Sequence, residues 1–172
     1  MLRRALLLTS PAAVLVACTK TTNGGATTYT LDTHKVDTEG TAILQALAAM
    51  LAAPSIAVLL GPNMITAQAA VVAAQAALAA FDQLTGGSMS ATIDTQKAQA
   101  TILSFIADTQ QVLTLVQQIM PKISISTTAT TVGNYVAAVQ ALLAFLQASI
   151  GLASVTLKPT MTEAQALQIA TH

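Results

Sequence analysis

Residues 95–120 read TQKAQATILSFIADTQQVLTLVQQIM, and their apolar positions recur with the period of an α-helix. Ile102, Phe105, Ile106, Val112, Leu113, Val116 and Ile119 fall on one side. Lys97, Thr101, Ser104, Asp108, Gln111 and Gln118 fall on the other. A helix with this division keeps one face in a core and one in water. Asp94 stands where an N-cap belongs, and Pro121 ends the pattern.

Working outward, the same period governs most of the chain. Residues 130–150 predict a second long helix, with Val132, Tyr135, Val136, Val139, Leu142, Leu143, Leu146 and Ile150 on its core face. Asn134, Ala138, Ala141 and Ala148 stand behind that face, and Gly151 is placed to cap the helix. Before it, Ile123-Ser-Ile-Ser126 alternates, as does Met89-Ser-Ala-Thr-Ile93, so the two links read as extended. Such stretches can pair as a small sheet at one end of the molecule. Upstream, Ile43, Leu44, Leu47, Met50 and Leu51 mark a helix that Asp37 or Thr38 is placed to cap; Pro54 and Gly61-Pro62 then interrupt the helical pattern. At the other terminus, Thr160-Met-Thr-Glu163 has the spacing of a capping box and opens a short last helix.

Residues 63–84 are different, because their helix is apolar nearly all round. Met64, Val71 and Leu78 form one stripe and Ile65 and Val72 a second, with Gln68, Gln75 and Asp82 between them. Ala69, Ala70, Ala73, Ala76, Ala77 and Ala80 make up the opposite side. A run of alanine lets another backbone come close. Ala69, Ala73, Ala76, Ala77 and Ala80 are therefore expected to form a close helix–helix contact, within the bundle or between copies. The fold class is accordingly all-α: a bundle of about four main helices plus a short C-terminal helix, joined by short Ser/Thr-rich extended links.

The first eighteen residues carry a different kind of signal. A basic start (Arg3, Arg4) precedes an apolar run over 5–17 that is too short to span a bilayer, and Leu15-Val-Ala-Cys18 closes it. These four residues resemble the lipobox of bacterial lipoproteins. The resemblance implies cleavage before Cys18 and a lipid on its thiol, giving a signal peptide over 1–17, a lipidated N-terminus and flexible tether over 18–40, and a bundle domain over 41–172. Thr19, rather than aspartate, comes after the cysteine, which by the sorting rule of enterobacterial lipoproteins implies an outer-membrane address facing the periplasm.

Composition narrows the partners. Only 8% of residues are charged while 53% are hydrophobic, and mean hydropathy is +0.65; about 25% charged is ordinary for soluble domains. Loss of Arg3 and Arg4 leaves five basic residues against seven acidic ones, a net charge of −2. That leaves no basic footprint for nucleic acid. Cys18 is the chain's one cysteine, so a lipidated chain has neither a disulfide nor a thiolate ligand.

Little in the sequence points to chemistry. Asp32, His34, Asp37 and Glu39 form its densest titratable cluster, but their spacing matches neither a calcium loop nor a zinc site. They are weak metal candidates, read as a solvated tether running into a helix cap. No serine sits in a nucleophile elbow, and no glycine-rich loop suits a phosphate. No catalysis and no cofactor are expected. A lipid-anchored helical protein with a structural, scaffolding or interaction role is expected, with a protein partner or further copies of itself as company. The alternative is a membrane-active protein of the pore-forming or lysis type, inserting 41–81 as a hairpin. Gln45, Gln68 and Gln75 stand against that, as does the shortness of 41–53, about 20 Å of helix where about 30 Å is needed.

Overall fold

The computed structural model describes residues 18–23, 26–86, 90–92, 95–150 and 159–172, with the backbone alone over 18–31, 90–92 and 95–96. The fold is an all-α helical bundle. Its elements are strands β1 (Cys18–Asn23) and β2 (Ala26–Asp32), helices α1 (Thr33–Ala52), α2 (Pro54–Leu60) and α3 (Asn63–Thr85), strand β3 (Ser90–Thr92), and helices α4 (Thr95–Ile119), α5 (Ser126–Ser149) and α6 (Glu163–Ala170). Four of these helices are long, and α2 is a short corner at 78° to α1. Pro54 opens that corner because it cannot continue α1 but suits the first turn of a new helix. Gly86 ends α3 in the left-handed conformation, φ 61°, which glycine adopts without strain.

The core assembles from the faces whose period is clearest. All seven apolar residues named on α4 are buried, while Lys97, Ser104, Gln111 and Gln118 are exposed. On α5 the named residues are buried too, apart from half-buried Tyr135. Ala138 and Ala141, expected on its outer side, are buried as well, because α5 is enclosed over more than one face. The bundle keeps its surface neutral by pairing hydroxyls with its own backbone: Thr101, Ser104 and Thr114 each donate to the carbonyl four residues earlier, at 2.8–3.2 Å.

Several boundaries differ from expectation. Residues 18–32 form an antiparallel hairpin rather than an unstructured tether, with Cys18 opposite Leu31 and Asn23 opposite Ala26. β3 pairs with β2 on its other side, through Thr30–Thr92 and Asp32–Ser90. The sheet therefore lies where α1 and α4 begin and α3 ends. Helix α1 starts at Thr33, and Asp32 caps it in place of Asp37 or Thr38. Gly40 lies inside α1, where α3 comes so close that an added Cβ would stand 2.8 Å from Leu78 Cδ1. Residues 123–125 join no strand, and α5 begins at Ser126 because its hydroxyl-rich first turns are helical despite weak patterning. The capping box of α6 is Thr162 with Gln165, two residues beyond the expected Thr160–Glu163 pair. Residues 1–17 and the expected caps Asp94 and Gly151 lie outside the described residues.

Candidate functional site

The Asp32–Glu39 cluster does not converge. Helical geometry turns its members to different sides. Asp32 accepts a hydrogen bond from the Lys35 backbone N–H at 3.0 Å, His34 is exposed, Asp37 is half-buried, and Glu39 is fully buried. Among the described residues no three histidine, cysteine, aspartate or glutamate side chains stand close enough to hold a metal ion. The cluster is thus the first two turns of a core helix and not a solvated tether.

What the fold builds there instead is a bridge between its two ends in sequence. Lys35 Nζ donates to Glu163 Oε2 at 2.8 Å, tying α1 to the first turn of α6. The same ammonium lies 3.7 Å from Glu39 Oε1, one helical turn away. Neither oxygen of Glu39 accepts a hydrogen bond, although both are shut off from solvent. Burial pushes the Glu39 carboxyl up to about 8, with Lys35 opposing the rise and the neighbouring Glu163 adding to it. For Lys35, burial works to lower the ammonium, but the hydrogen bond to Glu163 and the charges of Glu39 and Asp32 outweigh it and leave it raised. This trio escaped sequence reading, yet signals were present. Lys35 and Glu39 have the i, i+4 spacing of a helical ion pair. The Ile43–Leu47–Met50 stripe, extended backward, runs through Val36 and Glu39.

Helix α3 presents the second feature. It packs inward through Ala67, Ala70, Val71, Ala74, Leu78 and Phe81. Its outer face carries Ile65, 75% exposed, and Val72, 62% exposed, with Ala69, Ala73 and Ala76 around them. Of the expected contact residues, Ala69, Ala73 and Ala76 are exposed, and Ala77 and Ala80 are half-buried. Within the bundle Ala67, Ala70 and Ala74 make the inward approach, on the side of the bulky Val71, Leu78 and Phe81, and Ala77 of the expected row packs against the core beside them. By length and composition α3 and α5 are both apolar enough to cross a membrane, with 28% and 44% of their most apolar windows buried. Helix α1 has 20 residues, about 30 Å, so the length objection to a spanning segment does not hold for it. Joined to α2 across their 78° bend, it is apolar enough for a broken span.

Smaller features line the far end. A groove of about 310 Å³ runs between α2, through Pro54, Val58 and Leu59, and the link bearing Ile123 and Ile125, with Lys122 at its edge. Cys18, the expected lipidation site, opens β1, and its partner Leu31 immediately precedes the α1 cap. No protein-family profile, curated protein or solved structure matches this chain.

Proposed function

We propose that this protein is exported and held by lipid on Cys18, as a periplasm-facing helical bundle that scaffolds or binds other proteins and performs no catalysis. The observation that carries this reading is Leu15-Val-Ala-Cys18 after a basic, short apolar run. The register of Cys18 with Leu31 supports a short-range anchor: lipid on that residue draws the sheet end of the bundle to the bilayer without a long tether. Thr19 favours the outer membrane. Mass spectrometry of the protein extracted from membranes tests the reading. A mature N-terminal Cys18 carrying diacylglyceryl and an amide-linked acyl chain is expected, and Cys18→Ser should leave the protein out of the membrane fraction. An unmodified mature chain starting elsewhere overturns it.

A second reading is favoured by the exposed apolar face of α3. In it the chain is membrane-active and inserts 41–81 as a broken hairpin. Against it stand Gln45, Gln68 and Gln75 within that segment, since polar side chains within lipid are costly. Dye release from phospholipid vesicles by the chain truncated before Thr19 separates the two: release supports insertion, and a detergent-free soluble protein without release removes it.

A further inference from the structure

We propose that α6 is a proton-operated latch, held on the bundle while Glu39 carries a proton and released when Glu39 loses it. The inference is independent of how the protein is anchored. Glu39 lies on the core stripe of α1 between Val36 and Ile43, with no exposed surface. Neither of its oxygens accepts a hydrogen bond, and its nearest cation, Lys35 Nζ at 3.7 Å, is already committed to Glu163 at 2.8 Å. One ammonium therefore faces two carboxylates on two helices. With Glu39 protonated the trio is neutral. With Glu39 ionised it carries a net negative charge shut off from solvent, and burying such a charge is strongly unfavourable.

The element best able to yield is α6. It has eight residues, too few for a helix to persist alone in water. It is held by the burial of Ala166 and Ala170 against α1 and α5, by partly buried Met161, Leu167 and Ile169, and by the Glu163–Lys35 bond. Lifting it withdraws the Glu163 charge and admits water to Glu39. Other elements against α1 offer Glu39 no relief. Helix α2 carries no titratable group and α5 only Tyr135, while α3 brings Asp82, whose charged neighbour is Asp37 and not Glu39. Helix α4 brings Lys97 and Asp108, and α1 itself bears Asp32, His34 and Asp37; the charged groups that act on Glu39 are instead Lys35 and Glu163.

The direction is set by linkage. The closed state holds the Glu39 proton up to about 8, whereas an open, hydrated carboxyl releases it near 4.5. Closure is therefore tightest at acid pH, weakens as pH rises between those two values, and levels off above the higher one. The opening equilibrium rises by at most about tenfold per pH unit in that window. Native-state hydrogen exchange on the full-length protein in detergent, corrected for the intrinsic rate, tests this between about pH 5 and pH 8. The amides of Ala166–Ala170 should lose protection by about tenfold per unit while opening ahead of those of α4, and Glu39→Gln should flatten the profile. A wild-type α6 profile that is flat, or that coincides with α4 at every pH, overturns the latch, as does a Glu39→Gln profile that keeps the slope. If Glu39→Gln does not fold, the wild-type profile alone decides.

Discussion

Helices α3 and α4 lie side by side and are nearly equal in length, at 23 and 25 residues, yet they meet solvent in opposite ways. The outer face of α4 is a mixture of lysine, aspartate, glutamine and hydroxyls, several of them bonded back to the helix. The outer face of α3 carries isoleucine, valine and alanine beside Gln68 and Gln75, and α3 has a single charged residue, Asp82, in its last turns. An amphipathic helix gains its stability by burying one side. Helix α4 does that with every residue of its apolar stripe, leaving Leu103 exposed outside it. In α3 the inward side is built half from alanine, and larger apolar groups are left outside. Burial of α3 is thus set by the room its neighbours leave, whereas burial of α4 is set by its own sequence.

The sharpest way to break the contrast is to remove a large side chain from each inward face. Phe105→Ala in α4 and Phe81→Ala in α3 should each destabilise the fold by about 3–5 kcal/mol, since both rings are buried. Denaturant midpoints read this directly. A loss below about 1 kcal/mol for Phe81→Ala alone would mean that α3 leaves the bundle, and the insertion reading would gain.

A smaller effect separates the two alanine rows of α3. Ala74 is fully buried and Ala73 exposed, one residue apart. Ala74→Leu should overpack the contact and cost about 1–3 kcal/mol, while Ala73→Leu should stay within about ±0.5 kcal/mol. Chemical denaturation of the two variants checks the assignment. Equal losses would show that the outer row is also covered, as in a dimer formed through α3. The smallest effect belongs to the exposed pair. Replacing Ile65 and Val72 together by glutamine should leave the midpoint within about ±0.5 kcal/mol while making the outer face of α3 resemble that of α4. Any association with vesicles or between copies should then weaken, as measured by co-sedimentation. Unchanged association would place the interacting surface elsewhere.

The contrast also explains which parts of the molecule were legible in advance. Residues 95–120 alternate apolar and polar positions strongly, so their buried side is the one their periodicity names; in 130–150 the named face is buried too, but so are Ala138 and Ala141 behind it. The phase of α3 was not legible, because a helix apolar on every side carries no such contrast. The candidate site was read only in part. Glu39 was recognised as the member of a titratable cluster, but its burial was missed: a lone glutamate in an apolar stripe looks like a boundary until Lys35 and a partner from α6 are seen beside it. That partner, Glu163, is 128 positions away from Lys35, and no local pattern joins them.

By itself the sequence determined the helical class, the stop at Pro121 and the core face of α4, because these depend on short-range chemistry: periodicity and the missing proline N–H. It also supplied the lipobox-like segment, whose meaning is an expectation about processing. Only the tertiary structure decided that residues 18–32 pair as a hairpin with Ser90–Thr92, that α3 turns Ala67, Ala70 and Ala74 inward and Ile65 and Val72 outward, and that Glu39 is enclosed between α1 and α6. Each of these depends on which distant surfaces compete for the same space, and in a chain with so few charges local polarity leaves that competition open.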